Sequence, residues 1–150
     1  MKISVSKYFF YIVFITFISF QTVLAQETWI CPGVKLGYRF DDGFVIGFEV
    51  SYVRWGNGGS FGWVLAYDYC SKTRLNKFNV SVEGGSIIGA AIGPSFIIAD
   101  SANSFGITTT VYGGYVAMPY LNYDLNFKER SSFEIGSYVK FYGKIHPIKF

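Results

Sequence analysis

Charge is scarce in this chain. Lys, Arg, Asp and Glu make up 15% of its 150 residues, against about 25% in an ordinary soluble domain. The formal net charge is +3, and Lys2 and Lys7 supply two of the positive charges. The remainder is close to neutral, which gives no basis for nucleic-acid binding. Histidine occurs once, at His146, and cysteine twice, at Cys31 and Cys70. A hydrolase triad or metal cluster would have to be built around His146. It sits beside Pro147, beyond the last alternating run, and reads as an exposed tail residue. Two cysteines on separate strands and one histidine do not make a metal site. No cofactor is expected. Helical periodicity is also missing, as are linkers, low-complexity tracts and any sign of a second domain.

The first 25 residues stand apart from the rest. Lys2 and Lys7 form a positive start, and Tyr8 to Phe20 is apolar except for Thr16 and Ser19. Val23-Leu24-Ala25 then supplies a small-x-small cleavage pattern. The run is short of the roughly 20 residues a membrane helix needs. Residues 1–25 are therefore expected to be a secretory signal peptide, and residues 26–150 one β domain starting at Gln26. No cysteine follows the cleavage site, which argues against a lipid-anchored N-terminus.

What the chain has is alternation. Between Trp29 and Trp55 two runs flank Asp41-Asp42-Gly43. The even positions include Val34, Leu36, Tyr38, Phe40, Phe44, Ile46, Phe48, Val50 and Tyr52. The odd positions include Gly33, Lys35, Gly37, Arg39, Gly47, Glu49 and Ser51. A period of two puts each set on its own face of a strand, and Asp-Gly between such runs signals a hairpin. Six further runs follow: Phe61 to Lys72, Lys77 to Glu83, Ile87 to Ile98, Phe105 to Val116, Tyr120 to Phe127 and Phe133 to Tyr142. The fourth and fifth read as two strands or as one long bent one, and strand length favours two. Pro94 lacks a ladder donor and predicts an irregularity.

Eight strands with short connections suit an up-and-down meander. Odd connections hold most of the charge outside the strands. The even ones, Gly56 to Ser60, Gly84 to Ser86 and Ala117 to Pro119, carry none. In a meander the two kinds lie at opposite ends. Cys31 then sits far from the first turn and Cys70 close to it, too far apart for a disulfide.

Alternation does not say which face is inside. An apolar face points inward in a soluble barrel and outward in a membrane one. Here the polar face is rich in Gly, Ser, Thr and Ala, which suits the crowded interior of eight strands. Its charges have both signs: Lys35, Arg39, Lys72 and Lys140 against Glu49, Asp68, Glu83, Asp124 and Glu134. With the first hairpin centred on Asp42, Lys35 falls opposite Glu49. Buried charges need partners, and these supply them. The aromatics, 21% of the chain, would overfill so narrow an interior. The expected fold is an all-β, eight-stranded antiparallel transmembrane barrel. Its expected lumen is a structural ion network of Lys35, Arg39, Glu49, Asp68, Glu83, Asp124, Glu134 and Lys140.

A signal peptide, eight alternating strands and a mixed-charge lumen resemble the small outer-membrane barrels of the OmpA/OmpX type, from about Trp29 to Gly143. Such barrels often end on an aromatic. Phe150 is the last residue, but His146 and Pro147 interrupt the alternation, and Phe141 fits it better. The resemblance implies a Gram-negative outer membrane, with membrane lipid as partner. The expected protein is a monomer with a structural or surface-interaction role. It is neither a wide pore nor an enzyme. Glu49, Asp68, Asp124 and Glu134 could pair as catalytic carboxylates, but a lumen ion network is the simpler reading. Gly-Asn-Gly-Gly at 56–59 lacks a following helix and reads as a turn, not a phosphate cradle. The alternatives are a soluble exported barrel binding a lipophilic ligand and a membrane-embedded lipid-modifying enzyme. The latter needs a His, a Ser and a carboxylate together.

Overall fold

The alternating runs form strands in the computed structural model, which describes residues 27–40, 42–56, 59–99, 103–114, 116–127 and 131–145. The expected signal peptide and His146 lie outside the described residues. The strands are β1 (Glu27–Arg39), β2 (Gly43–Gly56), β3 (Gly59–Cys70), β4 (Leu75–Gly85), β5 (Ile88–Ile98), β6 (Asn103–Gly113), β7 (Ala117–Asn126), β8 (Ser132–Lys140) and β9 (Gly143–Ile145). Strands β1 to β8 pair antiparallel in sequence order, and β8 pairs back onto β1. Short β9 continues along β1 in the register of β8: Gly33 faces Lys140 and Ile30 faces Gly143. The gap has a simple cause. Phe141 N–H donates to the Pro32 carbonyl at 2.8 Å, but proline has no N–H to return the bond. Segments β8 and β9 are thus one barrel strand, interrupted opposite a proline.

Closure can be followed residue by residue. Trp29 faces Val53, which faces Gly62, then Glu83, Ala91, Thr110, Asn122, Glu134 and finally Arg39. One circuit thus returns to β1 displaced from Trp29 to Arg39. That stagger requires strands tilted by roughly 35–45° and leaves an interior just wide enough for side chains.

Period two sorts the side chains. One outward residue from each strand, namely Leu36, Val50, Leu65, Val80, Ile92, Val111, Leu121 and Ile135, is between 45% and 60% exposed. Rings cluster toward both ends of this band. Tyr38 meets Phe40 and Phe44 edge-on at 5.8 and 5.6 Å, and Phe105 stacks on Phe127 at 6.0 Å. Trp63 and Phe141 are exposed toward the opposite end.

Several expectations are corrected. The first turn is centred one residue earlier than Asp42. Asp42 N–H closes onto the Arg39 carbonyl at 3.2 Å, and Gly43 follows with φ 88°. This is the glycine-terminated form of a three-residue hairpin. Lys35 therefore faces Gly47, and Glu49 faces Gly33. Lys72 is exposed in the turn after β3, not in the lumen. Ala117 to Pro119 belong to β7, so that connection starts at Gly114 and ends at Val116. The fourth and fifth runs are two strands, and pairing lapses between Asn79–Ser95 and Val82–Ile92. Pro94 lies in the lapse. Beside it Gly93 permits close approach, since a Cβ there would stand 2.0 Å from the Val80 carbonyl oxygen. Cys31 and Cys70 are separate buried thiols. Cys70 faces Val45, which faces Gly37, six residues along β1 from Cys31.

Candidate functional site

The lumen is layered. Near the β1–β2 turn it is closed by Val45, Cys70, Leu75 and Ile97, an apolar plug. Below the plug lie three cations and three anions. Lys35 Nζ contacts Asp68 at 2.8 Å and Glu134 at 2.7 Å. Lys77 Nζ contacts Asp68 and Asp124, each at 3.1 Å. Arg39 pairs with Asp124, and its Nε donates to Ser132 Oγ at 2.7 Å and reaches Asp42 at 3.2 Å. Thr108 Oγ1 also donates to Asp124. With the Asn122 amide turned so that its oxygen faces Lys77, that oxygen accepts from Nζ at 3.2 Å. None of the six ions is more than 3% exposed. Each satisfies the rule that a buried charge is kept only with partners.

A tyrosine layer follows. Tyr120 stacks on Tyr138 with ring centres 4.4 Å apart, and Tyr138 meets Tyr112 edge-on at 6.3 Å. Tyr120 Oη donates to Glu134 at 2.6 Å, and Lys35 Nζ lies 4.9 Å from the Tyr120 ring centre. Beyond the tyrosines is a smaller group. Lys140 Nζ contacts Glu49 at 2.7 Å and Glu83 at 3.2 Å, and donates to Ser51 Oγ at 3.1 Å. Tyr112 Oη donates to Glu83 at 3.1 Å. Space left in the polar middle is about 20 Å³, close to the room one water needs.

Of the eight residues expected in the lumen, five gather in the first group and three in the second. The first group is Lys35, Arg39, Asp68, Asp124 and Glu134. The second is Glu49, Glu83 and Lys140. Lys77 is the member sequence reasoning missed. The signal was present, because Lys77 precedes Asn79 by two and so shares its face. Among the described residues no group of three or more His, Cys, Asp or Glu is placed to hold a metal ion.

Glycine makes room for the tyrosine layer. Gly37 and Gly136 face each other across β1 and β8. A Cβ on Gly37 would stand 2.2 Å from Tyr120 Oη, and one on Gly136 would stand 2.5 Å from it. Gly37→Ala is expected to push that hydroxyl off Glu134 and cost about 1–3 kcal/mol. In a Tyr120→Phe background the same change should cost measurably less, because the clashing oxygen is gone. Urea titrations of the three variants in detergent micelles check this. Simple additivity would show that Tyr120 does not set the space at Gly37.

No family model matches the chain, and no curated protein matches it. Two solved chains are similar in structure. One is the solution NMR structure of de novo designed TMB2.3, with TM-score 0.50 and 11% identity, covering 81% of this chain and 97% of that one. The other is described as de novo design of transmembrane beta-barrels, with TM-score 0.42, 10% identity and coverage of 77% and 96%. The likeness to the first is one of fold: a closed eight-stranded antiparallel barrel with the architecture of transmembrane β-barrels.

Proposed function

We propose that this chain is a monomeric outer-membrane barrel of a Gram-negative bacterium, of the OmpA/OmpX type, with a structural or surface-interaction role. The observation that carries this is the outward apolar band. Every strand contributes a half-exposed aliphatic residue to it, while all six ions of the first lumen group are sealed inside. Water would penalise such a continuous band, whereas acyl chains would solvate it. Strands of nine to fourteen residues, β9 apart, are long enough to cross a bilayer when tilted.

The filled middle supports a role other than a wide pore. The ion pairs on Asp68, Asp124 and Glu134 support a structural rather than a catalytic role for these carboxylates. Exposed Lys72 and Arg74 in the β3–β4 turn support contacts with partners at that end. Membrane fractionation tests the proposal. The protein should stay with the outer membrane through high-salt and carbonate washes, and its mature N-terminus should be Gln26. Release by carbonate would favour a soluble exported barrel.

A further inference from the structure

Past Lys140 the lumen widens into a hollow of about 360 Å³, within the size range of small-molecule sites. It opens at the end that carries the β2–β3, β4–β5 and β6–β7 connections. Its wall is apolar and aromatic, with Trp29, Val53, Trp55, Met118 and Tyr142. Its floor is Glu83, Lys140 and Tyr112.

With Glu49 just beneath the floor, the charges at this end of the lumen do not cancel. Lys140 is within ion-pair distance of both Glu49 and Glu83, and these carboxylates are 5% and 4% exposed. The other lumen cations, Lys35, Arg39 and Lys77, pair with Asp68, Asp124 and Glu134 in the first group. Among the described residues, one ammonium thus faces two buried carboxylates beneath an apolar hollow. Excess negative charge beneath an apolar-walled cleft attracts cations into it. The wall suits one as well, because indole and phenol faces attract ammonium groups. At the rim Lys144 Nζ already lies 5.9 Å from the Trp29 ring centre. A carboxylate ligand would instead meet a lysine already shared by two carboxylates, beside both of them.

We infer that the hollow binds a small organic monocation, its ammonium group over Glu83 and its apolar body against Trp29, Trp55 and Met118. This inference does not depend on which membrane holds the barrel. Calorimetric titration of the folded protein in non-ionic micelles with benzyltrimethylammonium tests it. Saturable one-to-one binding is expected, with phenylacetate binding at least tenfold more weakly. Glu83→Gln should weaken binding of the cation at least tenfold. Val53→Phe, which fills the hollow from the wall and leaves both floor charges in the sequence, should abolish it. If Glu83→Gln fails to fold, Val53→Phe and phenylacetate still decide. Absence of saturable binding, equal binding of phenylacetate, or unchanged affinity in either folded variant would overturn the inference.

Discussion

Asp124→Ala is expected to cost about 3–5 kcal/mol of folding stability, the range for removing one partner of a buried ion pair. Asp124 accepts from Arg39, Lys77 and Thr108. Arg39 and Lys77 are each 1% exposed. Without the carboxylate, the first group holds three cations and two anions, each at most 3% exposed. Arg39 keeps Ser132 and Asp42, and Lys77 keeps Asp68. Asp42 lies in the turn with its side chain 21% exposed, so it does not replace the buried carboxylate between Arg39 and Lys77. Asp124→Asn isolates the charge from the shape and should lose nearly as much. Adding Lys77→Met to Asp124→Leu removes one charge of each sign, so the pair should be far less harmful than the two changes summed. Urea unfolding in lipid vesicles, followed by tryptophan emission, measures all five variants, the Asp124→Leu and Lys77→Met singles included. A loss below about 1 kcal/mol for Asp124→Ala, typical of exposed pairs, would mean that the group is hydrated.

Val50→Arg is expected to cost roughly 2–4 kcal/mol, the penalty for arginine at the bilayer midplane on the lipid face of a barrel. Val50 lies midway along β2 between Pro32 and Leu65, and is 48% exposed. The chain offers its own control. Arg54 is on the same outward face four residues along, exposed and next to Trp55. At the strand rise and tilt of a barrel, that is about 10 Å nearer the interface. A lipid-facing wall therefore predicts a graded series: full cost at Val50, less for Tyr52→Arg, and none for the native Arg54. The same urea titrations measure it. Equal costs at 50 and 52 would remove depth as the cause.

The strands and their two faces were legible because period two is written into every run. Leu36 and Val50 outward and Lys35 and Ser51 inward follow from it directly. Register was less legible. Asp41-Asp42-Gly43 permits turns centred on either aspartate. Gly43 in the left-handed region selects the earlier centre, and Lys35 moves from Glu49 to Gly47. Ion partners were not legible at all. Lys35 meets Asp68 across Gly47, which depends on two hairpin registers at once, and it meets Glu134 only where β8 closes on β1, which is a property of the closed barrel and not of any run. Lys77 was lost at a run boundary, although its parity was right. The hollow was missed because Trp29, Val53 and Trp55 share the lumen-facing parity of Lys35 and Ser51. Along one face the chemistry changes from charged to aromatic without breaking the alternation. Closure then sets those residues beside Met118 and Tyr142.

The outward direction of the apolar face is tested most directly by tryptophan depth. Trp29, Trp55 and Trp63 are replaced by phenylalanine, and single tryptophans are introduced at Val50 and at Phe127. Each variant is folded into vesicles containing lipids brominated either deep in the acyl chain or near the headgroup. A wall facing lipid predicts strongest quenching of position 50 by the deep bromines and of position 127 by the shallow ones. It also predicts no folding without lipid or detergent. Quenching of both positions by aqueous acrylamide but by neither bromolipid, in a protein that folds in plain buffer, would contradict the membrane orientation.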